Sequence, residues 1–158
     1  MLTSLLIFLA AGTVLFAGLG WWSAQARPAA PGLVNGRLAA CDPAPHCVCS
    51  DGGDSSDTVH WVEPISLPGV DDATRWRVIR EMLAASGGRV VREEQQYLHA
   101  TYTSRLFRFV DDLELRMDGA QLQVRSSSRV GYSDLGANAA RVADLRARLM
   151  VAFAGIKP

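Results

Sequence analysis

The feature that most constrains the fold is a pair of alternating segments joined by a turn signal. The segments LFRFVDDLELRM and AQLQVRSSSRV both alternate apolar and polar residues, and Asp118-Gly119 lies between them. An Asp-Gly pair in this position is a strong signal for a hairpin with a two-residue loop. With these two residues in the loop, Leu115 faces Leu122 and Asp111 faces Ser126 on the neighbouring strand. The sequence therefore predicts an antiparallel hairpin with one largely apolar face.

Alternation places three polar residues of this hairpin on its apolar face, namely Asp111, Ser126 and Ser128. A carboxylate that is buried without partners is costly, and nearby hydroxyl groups can donate hydrogen bonds to it. We therefore predict that these three residues form a buried hydrogen-bond cluster, which ties the hairpin to the last helix.

The opposite face of the hairpin carries the candidate ligand-binding residues. Arg125, Ser127 and Arg129 point to that side, and Gly131 follows in a turn where backbone N–H groups can approach an anion. The sequence predicts that these residues lie outward and contact a phosphate or a carboxylate. The alternative is that Asp112, which the predicted register places opposite Arg125, neutralises this arginine, and that Arg129 extends to solvent or pairs with Asp134.

The segments on either side of the hairpin predict one antiparallel sheet covered by two helices. One strand begins near Val59 and two more cover 88–93 and 97–103, where β-branched and aromatic residues are frequent. Apolar residues at helical spacing predict helices over 73–87 and 137–155. The order β-α-β-β-β-β-α indicates an α+β fold, with about five antiparallel strands and two helices on one face.

The N-terminal residues predict an export or anchoring helix. Residues 2–26 contain no charged side chain, and their apolar run approaches the length that crosses a bilayer. Trp21 and Trp22 end the run as interfacial aromatic residues do, and Ala24–Ala26 match a cleavage pattern. The sequence predicts three regions: a signal peptide or membrane anchor over 1–26, a Pro- and Gly-rich linker over 27–40, and a single domain over 41–158.

Two signals conflict on where this domain lies. An export segment places it outside the cytoplasmic membrane, whereas Arg27 and Arg37 beyond the apolar run favour a cytoplasmic position. We expect the chain to be exported across the cytoplasmic membrane or anchored in it, with the domain in the periplasm or otherwise extracytoplasmic. The membrane is then a partner through the N-terminal segment.

Three cysteines cluster in CDPAPHCVCS, directly after the predicted linker. Clustered cysteines that follow an export segment predict a disulfide, and a Cys41–Cys47 bridge closes a small loop that contains two prolines. Cys49 is then left over. A metal site that includes His46 is the alternative, but the spacing matches no common zinc pattern, so we expect no metal.

Three motifs together resemble one protein family. CDPAPHCVCSDG, LFRFVDDLELRMD and VRSSSRVGYSDLGANAARVADLR look like the bacterial and plastid family catalogued as domain of unknown function 1499. The resemblance covers Cys41 to about Phe153, and it implies one fold, the two cysteines Cys41 and Cys47, and an N-terminal export or membrane segment. The chain departs from the family pattern at His46 and Cys49, where Asn and Ser are usual. The resemblance implies no activity, substrate or catalytic residue.

Charge and histidine placement bear on the class of function. With 16 acidic and 16 basic residues the chain has no net charge, which argues against nucleic acid as a partner. No histidine is tied by sequence to the serine cluster, as a serine hydrolase requires. The sequence favours a non-enzymatic binding or accessory module of the cell envelope, without a cofactor, that contacts an envelope partner or a small anion. The alternative is an envelope hydrolase with a site around Asp111, Ser126 and Ser128.

Overall fold

The computed structural model describes Gly12, residues 18–26 and residues 28–156. Residues 18–25 are helical. The elements that follow are β1 (Leu33–Val34), β2 (Arg37–Leu38), β3 (Cys47–Cys49), β4 (Ile65–Ser66), α1 (Asp72–Ala85), β5 (Arg89–Glu94), β6 (Tyr97–Thr103), β7 (Val110–Asp118), β8 (Gln121–Ser128) and α2 (Ala137–Ala154).

Strands β3 to β8 form one antiparallel sheet, and β1 and β2 pair separately. The sheet order is β3-β8-β7-β6-β5, and β4 also pairs with β8. The two helices α1 and α2 pack against the same face of this sheet. The α+β class with an antiparallel sheet is therefore confirmed, but the described residues contain six strands in the sheet rather than about five.

The strand count differs because of the segments before α1. The three residues of β3 are too few to show alternation, and they are ordered by pairing with β8. The strand predicted from Val59 is wrong, because Val59 lies in a turn and is 54% exposed. Only Ile65–Ser66 of that segment pairs with β8, next to Pro64, which has no N–H group to donate to a ladder.

None of the helices in the described residues is long and apolar enough to cross a membrane. Most of the predicted export or anchor helix over 1–26 lies outside those residues.

The β7–β8 hairpin forms with a loop one residue later than predicted. Asp118 pairs with Gln121, so the loop residues are Gly119 and Ala120 rather than Asp118 and Gly119. Gly119 adopts a φ of +59° at the first loop position, which is where a type II′ turn requires glycine. The register shifts by two residues, and Asp111 therefore faces Ser128 instead of Ser126. A shift of two leaves every side chain on its predicted face.

The helix-covered face of the sheet holds the hydrophobic core. Removing these side chains from water is the main favourable term for folding. Helix α1 begins after Asp71, whose carboxylate accepts a hydrogen bond of 2.9 Å from the N–H group of Thr74. The core residues with the least exposure are Ile65, Ile79, Leu83, Leu98, Ala100, Leu113, Leu115, Leu122, Val124, Leu145 and Leu149.

Residues 28–40, predicted as a linker, cover the opposite and polar face of the sheet. The backbone N–H groups of Ala29, Gly32 and Leu38 donate hydrogen bonds of 2.8, 3.0 and 2.8 Å to three buried carboxylates. Leu38 also packs against Tyr97 of β6. Proline and glycine content predicted a linker here, but it did not indicate what this segment contacts.

Candidate anion-binding site

Asp112 is a fully buried carboxylate on the polar face of β7. It accepts hydrogen bonds from Nε and Nη2 of Arg129, both 2.8 Å long, and from Nε2 of His99 at 2.7 Å. The N–H group of Ala29 donates another at 2.8 Å. Burial raises the pKa of Asp112, but these hydrogen bonds lower it by more, so the pKa lies below its ordinary value. Asp112 therefore neutralises Arg129, and the alternative prediction that it neutralises Arg125 is wrong.

Glu114 is a second buried carboxylate on the same face. It accepts hydrogen bonds from the hydroxyl group of Tyr97 at 2.7 Å, from the N–H group of Gly32 at 3.0 Å and from Nη1 of Arg125 at 3.1 Å. Burial and the neighbouring Glu114 carboxylate raise the pKa of the Tyr97 phenol. Arg125 also donates to the carbonyl oxygen of Ala29. These contacts join the sheet to residues 28–40.

Two of the predicted ligand-binding residues are closed off from solvent. Arg125 is 7% exposed and Ser127 is 2% exposed, so the expectation that both point outward is wrong. Strand alternation identified their face, but it cannot show that a segment from elsewhere in the chain covers this face. Gly131 is exposed in a turn, where its carbonyl oxygen accepts a hydrogen bond of 2.7 Å from Nδ1 of His46.

Arg129 lines a cavity of about 340 Å³ on the polar side of the sheet. The polar side chains around this cavity are Arg89 of β5, Thr101 and Thr103 of β6, and Arg129. Ala24 of the N-terminal helical segment also contributes to the wall. Sequence reasoning named Arg129 but missed Arg89, because Arg89 belongs to a different strand and only the sheet brings the two arginines to one cavity.

The cavity lining retains hydrogen-bond donors that no described residue uses. Arg89 is exposed and makes no ion pair with the described residues. Arg129 binds Asp112 through Nε and Nη2, which leaves its Nη1 group available. Thr101 is 7% exposed, and its hydroxyl group has no hydrogen-bond partner within the described ranges. Since Asp112 balances Arg129, Arg89 gives the cavity a net positive charge, which suits a carboxylate, phosphate or sulfate group.

On the other face of the sheet, α2 joins the polar residues that were predicted to cluster. Ser126 donates a hydrogen bond of 2.6 Å to Oδ1 of Asn138, and Nδ2 of Asn138 donates one of 3.0 Å to Ser128. Arg141 forms an ion pair of 2.6 Å with Asp111 and donates a hydrogen bond of 3.0 Å to Ser126. Within the described residues no hydrogen bond joins Asp111 directly to either serine, so the expected direct donation is wrong.

Sequence reasoning missed Asn138 and Arg141, which organise this cluster. Two polar residues three apart on the first turns of α2 are neighbours on the helix surface. Polar residues at this spacing, on a helix that covers a strand with serines on its apolar face, are the signal that could have identified Asn138 and Arg141. Both lie on the side of α2 that meets β8.

The histidine rings lie apart from the serines of this cluster. His46 enters it only through its backbone carbonyl oxygen, which accepts a hydrogen bond of 2.9 Å from Asn138. The rings of His60 and His99 are hydrogen-bonded to Asp57 and Asp112 instead. In the part of the chain that the structure describes, no histidine ring is hydrogen-bonded to a serine as a nucleophile and base would be.

The predicted disulfide between Cys41 and Cys47 is confirmed. Cys49 is a free and buried thiol, and burial raises its pKa. Among the described residues, no three His, Cys, Asp or Glu side chains come together in a group that could hold a metal ion.

The described residues form a small α+β domain whose sheet is apolar toward two helices and polar toward an N-terminal covering segment. Residues 37–149 match the family described as Protein of unknown function (DUF1499), and the chain belongs to that family. The family resemblance seen in the motifs is therefore confirmed. No match was found among curated proteins or among solved structures.

Proposed function

We propose that this chain is a non-enzymatic binding module of the cell envelope that holds a small anionic group between Arg89 and Arg129. The observation that carries the proposal is the cavity on the polar face, where Arg89 makes no ion pair with the described residues and Arg129 has one unused donor nitrogen. The charge-free apolar run at the N-terminus supports a location at the cytoplasmic membrane.

The geometry favours an anion for two reasons. Arg129 is held by two hydrogen bonds to a buried carboxylate, so little side-chain entropy is lost when its remaining nitrogen binds a ligand. The hydroxyl groups of Thr101 and Thr103 add neutral donors around the two guanidinium groups. A volume of about 340 Å³ is at the small end of the range for ligand cavities, which suits a compact organic anion.

The test is calorimetric titration of the full-length chain, in a neutral detergent, with inorganic phosphate, sulfate and acetate. A charge-assisted hydrogen bond contributes about 1.5–3 kcal/mol, so Arg89→Gln should weaken binding by about tenfold or more. Arg89 is exposed, and this change should leave the fold intact. The matched control is Arg77→Gln, an exposed arginine of α1 that pairs with Glu81 away from the cavity.

The control should bind like the parent. The proposal fails if none of the three anions gives a binding heat with the parent, or if Arg89→Gln and Arg77→Gln bind equally well. Thr101→Val provides a second, uncharged test of the same cavity, because it removes a hydroxyl group and preserves the side-chain shape. This variant should weaken binding by a smaller factor than Arg89→Gln.

A further inference from the structure

The N-terminal helical segment docks against the loop between β6 and β7. Gly20 lies so close to this loop that a Cβ atom there would stand 2.6 Å from Cβ of Arg108 and 3.0 Å from the carbonyl oxygen of Phe107. One turn later, Ser23 is fully buried and its hydroxyl oxygen accepts a hydrogen bond of 2.9 Å from the N–H group of Val110. The segment that follows the apolar run is therefore packed onto the domain.

Exposed apolar side chains flank this contact on both the helical segment and the loop. Trp21 is 68% exposed and Trp22 is 57% exposed, on the helical segment that contacts the loop. Leu106, in the loop itself, is 70% exposed, and Phe107 beside it stacks on Phe109 with ring centroids 5.5 Å apart. Clustered exposed tryptophan and leucine side chains on a small domain mark an interaction surface.

The same loop carries two arginines that have no partner in the described residues. Arg105 and Arg108 flank the exposed apolar pair of the loop, and both are exposed to solvent. Neither forms an ion pair or a hydrogen bond with any residue that the structure describes. A patch that combines aromatic and aliphatic side chains with arginines that have no partner among the described residues suits a partner surface with an apolar layer beneath a negatively charged one.

We infer that this tryptophan–loop surface, formed by Trp21, Trp22, Arg105, Leu106 and Arg108, lies on the interface of an anionic lipid bilayer. The uncharged run from residue 2 leads directly into the surface, so a membrane that receives the run also meets the loop. Tryptophan prefers the headgroup region, and arginine is attracted to anionic headgroups. The domain itself therefore contacts the membrane surface, in addition to being attached through the N-terminal run. This contact requires that both tryptophans remain in the mature chain.

Contact between this surface and a bilayer would also fix where the proposed anion cavity lies relative to the membrane. Ala24 lines the cavity and is three residues from Trp21. Three helical residues span about 4.5 Å, so this wall of the cavity lies close to the lipid surface. An anion that enters it is then taken up at the membrane interface.

The test uses the full-length chain reconstituted in phosphatidylcholine vesicles, with or without phosphatidylglycerol. An environment-sensitive fluorophore is attached at Leu106→Cys, and a matched label at Val151→Cys reports from α2, where Val151 is 78% exposed. The parent chain treated with the same reagent corrects for labelling of the buried Cys49. We expect the label at 106 to shift to the blue and to be quenched by brominated acyl chains, and the label at 151 to show neither effect.

The role of charge is tested by adding Arg105→Gln and Arg108→Gln to the chain labelled at position 106. Each arginine near an anionic surface favours the contact roughly fivefold, so the double change should reduce quenching in vesicles that contain phosphatidylglycerol. If the labels at 106 and 151 respond alike in both kinds of vesicle, the surface does not lie on the membrane and the inference is overturned. Equal quenching with and without phosphatidylglycerol would overturn the assigned role of the arginines.

Discussion

Replacing Asp112 with alanine tests whether the polar face of the sheet contributes strongly to the stability of the fold. Asp112 is fully buried, and its removal leaves Arg129, whose side chain is 11% exposed, without a counter-charge. His99 also loses the acceptor of its 2.7 Å hydrogen bond. Breaking a buried ion pair by removing one partner typically costs about 3–5 kcal/mol of unfolding free energy.

Asp111, the neighbour in sequence, supplies a matched comparison on the opposite face. Its side chain is 14% exposed and its partner Arg141 is 15% exposed, so both remain in contact with water. After Asp111→Ala, Arg141 retains hydrogen bonds to Ser126 and Asn138. The loss of this partly solvated ion pair should therefore cost only about 1 kcal/mol.

Urea unfolding of the full-length chain in mild detergent measures both effects, with tryptophan fluorescence and circular dichroism as independent probes. With an m-value of about 2 kcal/mol per molar urea, Asp112→Ala should lower the unfolding midpoint by about 2 M. Asp111→Ala should lower it by about 0.5 M. Circular dichroism before unfolding checks that both variants begin from the folded state.

Equal midpoints, or a larger loss for Asp111→Ala, would show that burial does not set the cost of losing these carboxylates. A double variant separates the loss of the pair from the penalty of an isolated buried charge. Asp112→Ala combined with Arg129→Met removes both charges and keeps apolar volume, so it should be more stable than Asp112→Ala by itself. A double variant less stable than Asp112→Ala would show that Arg129 is stabilised by groups other than Asp112.

Two further predictions concern pH and thiol reactivity. The pKa of Asp112 in the folded chain is below its ordinary value. As the pH falls to about 4 and below, the unfolded chain therefore binds more protons at this site than the folded chain does, and the free energy of unfolding falls. The stability advantage of the parent over Asp112→Asn, measured by urea unfolding, should therefore narrow between about pH 5 and pH 3; a constant advantage contradicts this. Burial raises the pKa of Cys49, so iodoacetamide at neutral pH should modify it only after denaturation, as intact-mass measurement would show; rapid modification of the folded chain contradicts the buried position.

The sequence predicted the elements whose patterns are local and long. The helices expected over 73–87 and 137–155 are observed as α1 (Asp72–Ala85) and α2 (Ala137–Ala154). A helix or strand of this length repeats its apolar period several times, and the period follows from backbone geometry. The β7–β8 hairpin was found for the same reason, although its loop was placed one residue early.

The short elements could not be predicted in the same way. Cys47–Cys49 is a strand only because it pairs with β8, which lies far along the chain. The segment from Val59 contains β-forming residues, yet neighbouring prolines reduce it to Ile65–Ser66. In the first segment a contact with a distant strand decides the structure, and in the second a missing N–H group does. The intrinsic β preference of the residues decides neither.

By itself, then, the sequence determined which face of the hairpin each residue occupies, since the side chains of a strand alternate with a period of two. It could not determine which face is covered. Arg125 is buried because Ala29, 96 residues earlier in the chain, lies against it. Only the tertiary structure brings Arg89 and Arg129 to one cavity, because the two arginines belong to different strands. Alternation is a local property of the backbone, whereas exposure and the shape of a cavity depend on distant segments that fold onto the same surface.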